Sequence, residues 1–160
     1  FGENYPAVRL KVDKALANGL TPIICLGETA QEKAAGRADA VLAEQVLTSL
    51  AGQPDSRVPE TILAYEPRWA IGGADAASPD YVAERHRVLR EILRAHRGEA
   101  AAQQTRIIYG GSVTPETGKE LIAIDDVDGL FVGRAAWKPE GFIRIIEVVA
   151  TAAERKIRAM

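Results

Sequence analysis

Four short apolar runs, each followed by a segment with helical periodicity, limit the folds open to this chain of 160 residues. The runs predict β-strands at residues 21–26, 61–65, 105–109 and 127–132. A further helical segment, with Asn4 as its cap and Gly19 as its stop, precedes the first run. Strands that alternate with helices form right-handed βαβ units, so the pattern predicts an α/β fold with a parallel sheet.

The helices after the strands are bounded by glycine, proline and capping residues. They are predicted at residues 29–50 with a break at Gly36, from Ser78 to about Gly98, at residues 115–122, and from about Glu140 to Arg155. The chain is therefore one helix followed by four βα units. It contains no linker or low-complexity segment, so we expect a single domain over residues 1–160.

Each predicted strand is a continuous apolar run, which is typical of parallel strands covered by helices. An open doubly wound sheet and part of a closed barrel both satisfy this pattern, and periodicity leaves both open. A complete (β/α)8 barrel needs roughly 250 residues, so a barrel would be about half present in this chain.

Charge and composition exclude several classes of protein. A formal net charge of −2 with 26% charged residues gives no indication of a nucleic-acid or membrane partner. Cys25 is the one cysteine, so no intrachain disulfide is possible. The polar start is unlike a signal peptide, and the apolar stretches are too short or too interrupted to span a bilayer. We expect a cytoplasmic protein, and the absence of an initiator methionine favours a processed product or a fragment.

The strand ends carry the residues that chemistry would use, because function in parallel α/β folds collects there. Glu66 directly follows the second strand. A carboxylate shielded from water at that point can act as a general base, although a solvated loop residue would give the same sequence. Trp69 and Ile71 are large apolar residues in a loop of small ones at residues 67–77, which is typical of a lid or of packing on the sheet rim.

Glycine turns follow the third and fourth strands. Gly110, Gly111 and Ser112 form the first turn, and residues 133–136 form the second. Glycine lets backbone N–H groups approach an anion, and the last two loops of a barrel frequently bind phosphate. A tight strand-to-helix turn needs glycine as well, but the two turns in this order favour a phosphate site.

Longer motifs resemble the triosephosphate isomerase family over the whole chain. The run AYEPRWAIG at residues 64–72 resembles the catalytic-glutamate and lid signature of that family. Residues 25–29 (CLGET) are similar to its fifth-strand motif, residues 109–113 (YGGSV) to its seventh-strand phosphate loop, and residues 126–133 (DVDGLFVG) to its eighth strand. The resemblance implies half of a (β/α)8 barrel, containing strands five to eight of the family.

The resemblance also implies a role for each strand end. Glu66 is the base that moves a proton between adjacent carbons of a small phosphorylated sugar, whose phosphate is bound by Gly72, Ser112, Gly133 and Arg134. The lid comprises Pro67, Arg68, Trp69, Ala70, Ile71, Gly72, Gly73, Ala74, Asp75 and Ala76. The supporting residues are Cys25, Glu28, Tyr109, Gly110 and Gly111, with Cys25 buried near the base and Glu28 meeting Trp69 in one lid position. Neither a metal ion nor a cofactor is implied.

The chain departs from the family pattern in several places. Arg68 stands where valine is usual, residues 73–75 where Thr-Gly-Lys is usual, Arg134 where a second glycine is usual, and Trp137 where leucine or a small apolar residue is usual. The substrate-binding lysine and the electrophilic histidine of the family would both lie upstream of this chain. His86 and His96 belong to the long helix after the second strand and are interpreted as a helix-face and a helix-end residue.

The resemblance implies a fragment of the glycolytic and gluconeogenic isomerase that interconverts dihydroxyacetone phosphate and glyceraldehyde 3-phosphate. The isolated chain should be inactive, because the group that polarises the carbonyl is missing. Arg134 and Trp137 leave open a tetrulose phosphate as the substrate. A non-catalytic folding fragment or truncated product is the alternative of another class.

The incomplete barrel also predicts partners. Inward-facing apolar side chains, such as Ile23, Ile62, Ile107 and Leu130 or their neighbours, would be covered by the missing N-terminal half. Two open sheet edges would present unpaired backbone groups. We therefore expect the isolated chain to self-associate, most simply as a homodimer.

Overall fold

The computed structural model of the chain describes residues 2–71 and 76–159. Its helices are α1 (Tyr5–Ala17), α2 (Ala30–Ala34), α3 (Ala38–Ser49), α4 (Pro79–Gln104), α5 (Pro115–Ile122) and α6 (Pro139–Ala159). Its strands are β1 (Ile23–Leu26), β2 (Ile62–Tyr65), β3 (Arg106–Gly110) and β4 (Gly129–Phe131). Short 3-10 helices occupy three connections, at Asp55–Glu60, Arg68–Ala70 and Arg134–Ala136. The predicted helix followed by four βα units is confirmed.

Side-chain caps fix where the helices begin. The Asn4 carboxamide oxygen accepts from the backbone N–H three residues on, at 3.0 Å, before α1. Thr29 and Glu32 form a capping box at the start of α2, and the Ser78 hydroxyl accepts from the N–H three residues on at the start of α4. These caps satisfy donors that the first helical turn leaves free, so the predicted and observed helix starts agree closely.

Helix α4 does not end near Gly98, as the sequence predicted. Gly98 has φ +84° and ψ 166°, which breaks the helix locally, but helical turns resume and end at Gln104. Ala101 and Ala102 in the resumed part are buried, so core packing carries the helix past the glycine. Upstream of the break, Val82 and Leu89 are fully buried.

Within the described residues the strands form one parallel sheet in the order β1-β2-β3-β4. Because parallel connections are right-handed, a sequential strand order places the connecting helices on one face of the sheet. A doubly wound sheet would instead require the strand order to reverse. The topology is therefore that of half a barrel, with β1 and β4 at open edges.

The two faces of the sheet differ in exposure. The helix-covered face carries side chains that are at most 3% exposed, namely Ile24, Leu26, Leu63, Tyr65, Ile107 and Tyr109. The other face carries Ile23, which is 48% exposed, and its register neighbours Ile62 and Arg106. The expectation that Ile107 and Leu130 face the barrel interior is wrong: Ile107 is fully buried under helices, and Leu130 pairs with Tyr109 in register. Ile23 and Ile62 do lie on the open face.

A buried arginine connects α4 to the segments that precede β3 and β4. Arg90 donates to the carbonyl oxygen of Thr105 at 2.6 Å and pairs with Asp126 at 3.2 Å and Asp128 at 2.7 Å. Asp128 in turn accepts from the N–H of Ile107 at 2.7 Å. A buried guanidinium with this many acceptors is a well-satisfied charge, and its removal would leave two carboxylates unpaired. The network fixes the entry into β4 against β3.

Candidate functional site

Glu66 lies at the carboxyl end of β2, on the open face of the sheet. Its backbone N–H donates to the carbonyl oxygen of Leu26 at 2.7 Å, which holds it beside the end of β1. The half-buried side chain lies over Gly110 in the neighbouring strand. A Cβ at Gly110 would approach Glu66 Cγ to 2.6 Å and Glu66 Oε1 to 2.7 Å. The carboxylate therefore occupies space that only a glycine leaves free.

A second glycine clears the backbone of Glu66. A Cβ at Gly27 would overlap the Glu66 carbonyl oxygen, so the chain after β1 can approach Glu66 only because residue 27 has no side chain. The sequence interpretation did not single out Gly27. Its position between Cys25 and Glu28, directly at a strand end, was the available signal.

Cys25 lies on the same open face as Glu66 and is exposed in this chain. The expectation of a buried cysteine is wrong, because the side of the sheet that carries it is uncovered here. Partial burial, together with the nearby Glu66 carboxylate, raises the pKa of the Cys25 thiol to about 11. The thiol is therefore protonated at neutral pH.

Glu28 is fully buried, and its carboxylate is satisfied by aromatic donors. Oε1 accepts from Trp69 Nε1 at 2.7 Å and from the Tyr81 hydroxyl at 2.9 Å, and the Tyr65 hydroxyl donates at 3.1 and 3.2 Å to the two oxygens. Burial, and next the Glu28 charge, raise the pKa of Tyr65 above its usual value, so its hydroxyl remains a donor. The expected contact between Glu28 and Trp69 is present.

The segment after Glu66 is hydrogen-bonded to the segment after β1. Arg68 N–H donates to the carbonyl oxygen of Glu28 at 3.0 Å, and Ala70 N–H donates to that of Pro67 at 2.8 Å. Of the expected lid, residues 67–71 and Ala76 are described, and Ile71 is exposed. Gly72, Gly73, Ala74 and Asp75 lie outside the described residues.

The loop after β3 reaches the start of the expected lid. The Ser112 hydroxyl donates to the carbonyl oxygen of Ala70 at 3.3 Å. Gly111 packs on the side chain of Tyr109, since a Cβ there would lie 2.5 Å from the tyrosine oxygen. Burial raises the pKa of Tyr109 to about 12. The structure therefore brings Ser112, Ala70 and the Glu66 strand end to one edge of the sheet.

The turn after β4 is open. A Cβ at Gly133 would meet nothing within 4 Å, Arg134 is exposed, and Trp137 is 77% exposed. These residues stand at the same carboxyl edge of the sheet as Glu66, because the strands are parallel and adjacent. The turn's exposure leaves Arg134 and Trp137 available to a ligand.

The two histidines lie outside this edge. His86 is fully buried on α4, its Nδ1 is 3.1 Å from the carbonyl oxygen of Asp126, and its ring packs edge-on against Tyr65. Burial lowers the pKa of His86 to about 4, so the ring is neutral at pH 7. His96 is exposed on the same helix. In the described ranges no group of three or more His, Cys, Asp or Glu side chains is placed to hold a metal ion, and no helix there is long and apolar enough to cross a membrane.

Fold and site together define half of a parallel (β/α)8 barrel with a glutamate at a strand end, where one glycine leaves space for its carboxylate and another for its backbone. A family model described as triosephosphate isomerase matches residues 1–149, so the chain belongs to the triosephosphate isomerase family.

Curated relatives cover nearly all of the chain. The L-erythrulose-1-phosphate isomerase of Rhizobium etli is 46% identical over 158 residues, which are 97% of this chain and 57% of that protein. The triosephosphate isomerase of Roseiflexus castenholzii is 40% identical over 150 residues, which are 94% of this chain and 59% of that protein. That of Herminiimonas arsenicoxydans is 41% identical over 91% of this chain and 58% of its own length. The chain thus spans a little under three fifths of these relatives.

Proposed function

We propose that the chain is one domain, the C-terminal part of a cytoplasmic aldose–ketose isomerase that interconverts dihydroxyacetone phosphate and glyceraldehyde 3-phosphate. The single observation that carries the proposal is the Glu66 carboxylate, which lies over Gly110 at the carboxyl edge of a family-matched sheet. No cofactor takes part in the proposed reaction, because moving a proton between adjacent carbons of one molecule involves no net oxidation or reduction and transfers no other group.

Glu66 performs the proton transfer in this proposal. Its carboxylate takes a proton from the carbon next to the substrate carbonyl, and the electron pair of that C–H bond moves toward the carbonyl oxygen to give an enediolate. The Glu66 carboxyl then returns the proton to the neighbouring carbon, while the two oxygens exchange one proton. Stabilisation of the oxygen charge comes from the upstream half of the barrel, which carries the histidine and lysine of the family pattern.

Phosphate binding is assigned to the edge that the other strand ends share. Ser112, Gly133 and Arg134 follow β3 and β4, and Gly72 precedes them in the expected lid. Backbone N–H groups of glycine turns and the exposed Arg134 guanidinium suit a phosphate dianion. The segment 67–76 closes over the substrate and excludes water from Glu66.

The upstream half of the barrel is the first partner of this chain. It would pair with the open edges of β1 and β4 and cover Ile23, Cys25 and Ile62. Without it, the isolated chain has no turnover and associates with a second copy through the same open face.

A tetrulose phosphate is the second candidate substrate. It is suggested by the Rhizobium etli relative, which is 46% identical and is named L-erythrulose-1-phosphate isomerase. It is also favoured by Arg134 and Trp137, which depart from the family pattern and stand exposed in the turn after β4. The ratio of kcat/KM for the two substrates decides between them.

The test uses a completed enzyme, in which the N-terminal segment of the Rhizobium etli relative precedes residue 1 of this chain. We expect turnover of one of the two sugar phosphates, and a loss of about 10²- to 10⁴-fold in kcat for Glu66→Gln. Glu147→Gln, at an exposed position on α6, is the matched control and should leave kcat unchanged. A completed enzyme that folds but turns over neither substrate would contradict the proposed function.

A further inference from the structure

A buried glutamine on α3 is hydrogen-bonded to the strand end beside Glu66. Gln45 is 9% exposed and follows Val41 and Leu42 at the spacing of the buried stripe of the helix. Its Oε1 accepts from the N–H of Gly27 at 2.8 Å, and its Nε2 donates to the carbonyl oxygen of the same glycine at 3.2 Å. One carboxamide therefore satisfies both backbone groups of Gly27, which explains a polar side chain within an apolar stripe.

The partners of Gln45 fix the orientation of its carboxamide. The N–H of Gly27 can only donate and the carbonyl oxygen can only accept, so Oε1 and Nε2 cannot exchange places without losing both bonds. The second hydrogen of Nε2 is donated to the Tyr5 hydroxyl of α1, at 3.3 Å. The glutamine is thus held between α1 and the end of β1.

The strand end after β1 is held from two sides. On the β2 side, the carbonyl oxygen of Leu26 accepts from Glu66 N–H at 2.7 Å. That of Glu28 accepts from Arg68 N–H at 3.0 Å. Gly27 lies between these two bonds and is held by the glutamine on the α3 side. Loss of the glutamine bonds would leave this strand end supported from the β2 side alone.

Gly27 in turn limits where Glu66 can lie. A Cβ at Gly27 would overlap the Glu66 carbonyl oxygen, so the two backbones are in direct contact. The Glu66 side chain lies over Gly110, where a Cβ would approach its Cγ to 2.6 Å. A displacement of Gly27 would therefore displace the backbone from which the carboxylate extends. Misplacement of a reacting group by about 1 Å can cost two orders of magnitude in rate.

The proposed closure of the segment 67–76 leaves the glutamine bonds intact. Within the described residues, the hydrogen bonds of Gln45 join it to Gly27 and Tyr5, and all three residues lie outside that segment. The end of β1 is thus a support that stays in place while the segment beside it moves.

We propose that Gln45 is a positioning residue, which holds the end of β1 through Gly27 and thereby keeps the Glu66 carboxylate in place for proton transfer. This inference rests on the proposed role of Glu66 as the base. Gln45 belongs to α3 and acts through Gly27 rather than on the substrate, so its removal should lower kcat more than it changes KM.

The experiment compares Gln45→Met and Gln45→Asn in the completed enzyme. The first variant keeps the length of the side chain without its two bonds to Gly27. The second keeps the carboxamide but withdraws it from Gly27 by about one methylene. A shift of Glu66 by about 0.5 Å, half of the shift that costs about 10²-fold, should lower kcat about 10-fold in both variants with little change in KM.

Two control variants separate positioning from stability. Thr105→Val removes the buried bond from the Thr105 hydroxyl to the carbonyl oxygen of Ala101, which is 2.7 Å long and lies just before β3. It should lower the free energy of unfolding in urea while kcat stays at the wild-type value. Gln103→Met, at an exposed position on α4, is the matched control for the substitution itself. Wild-type kcat in a folded Gln45→Met or Gln45→Asn enzyme would overturn the proposal, as would an equal loss of kcat in Thr105→Val.

Amide hydrogen exchange tests the contact without the reaction. The N–H of Gly27 should exchange faster in Gln45→Met than in wild type, and at the wild-type rate in Gln103→Met. Unchanged exchange in Gln45→Met would also overturn the proposal.

The two levels of the argument fail separately. If the completed wild-type enzyme lacked turnover, or if Glu66→Gln kept it, the base role would fail and the positioning role with it. An active wild type and an impaired Glu66→Gln enzyme, together with wild-type kcat in Gln45→Met, would overturn the positioning role alone.

Discussion

Gly110→Ala in the completed enzyme tests how closely the fold holds the carboxylate. The new methyl group would lie 2.6 Å from Glu66 Cγ and 2.7 Å from Oε1. Ordinary contact between such atoms begins near 3.4 Å, so the Glu66 side chain must retreat by about 0.8 Å. A displacement of that size costs about 10²-fold in kcat when the displaced group reacts directly with the substrate.

The glutamate is a flexible side chain, so the variant should still fold. Its free energy of unfolding should change by about 1 kcal/mol or less, because the carboxylate can turn toward the open face. The assay is therefore kcat and KM for the sugar phosphate, beside urea unfolding of the same variant. Gly118→Ala on α5 is the matched control: its methyl group would lie 3.3 Å from a Leu130 methyl and 4.0 Å from methyls of Val113 and Val148, and kcat should stay at the wild-type value. A folded Gly110→Ala enzyme with wild-type kcat would refute the reasoning.

Three further predictions follow from the site and the fold. In the completed enzyme, Glu66→Asp withdraws the carboxylate by about one methylene and should lower kcat about 10²-fold while KM changes little; retained kcat with weaker binding would exclude Glu66 as the base. Burial lowers the pKa of His86 to about 4, so the unfolded chain binds a proton that the folded chain rejects, and stability should decrease as pH falls from about 6.5 to 4. The free energy of unfolding should fall by about 3 kcal/mol at most over this range. Urea unfolding of wild type and His86→Phe at several pH values should show a smaller decrease of the unfolding free energy in the variant. An equal decrease in both proteins would mean that His86 is protonated in the folded state. The isolated chain should show no turnover and should self-associate in light scattering at micromolar concentration, whereas a compact monomer with sharp near-ultraviolet circular dichroism would contradict the exposed-face interpretation.

The order of elements could be predicted from the sequence because local signals set it. Helix α5 has the predicted bounds Pro115–Ile122, since Thr114 caps it and Pro115 suits its first turn. The family motifs at residues 25–29 and 109–113, and the described residues 64–71 of the third motif, also lie at the strand ends where they were expected. The end of α4 was misjudged at Gly98 because a glycine stop can be overridden by buried residues beyond it.

The facing of side chains could not be predicted in the same way. Continuous apolar strands carry no alternation, so nothing in the sequence distinguishes the face of Ile107 from that of Ile108, its neighbour in β3. Cys25 was expected to be buried because the family resemblance implies it, and it is exposed because the face of the sheet that carries it is uncovered.

The contacts that Lys33 and Tyr81 make with Trp69 also escaped prediction. Lys33 and Tyr81 converge on Trp69 only through the fold, and an exposed lysine on a short polar helix has no distinguishing sequence signal. Gly27 was recoverable from the sequence, because a glycine at a strand end indicates a close backbone approach.

The most direct test of the central claim is the transfer of solvent deuterium into the substrate. In deuterium oxide, the completed enzyme should incorporate deuterium at the carbon next to the substrate carbonyl, because the Glu66 carboxyl exchanges its proton with solvent. Nuclear magnetic resonance of the sugar phosphate measures this incorporation. The account predicts that Glu66→Gln abolishes it while Glu147→Gln leaves it unchanged. Exchange at the wild-type rate in a folded Glu66→Gln enzyme would contradict the assignment of Glu66 as the base.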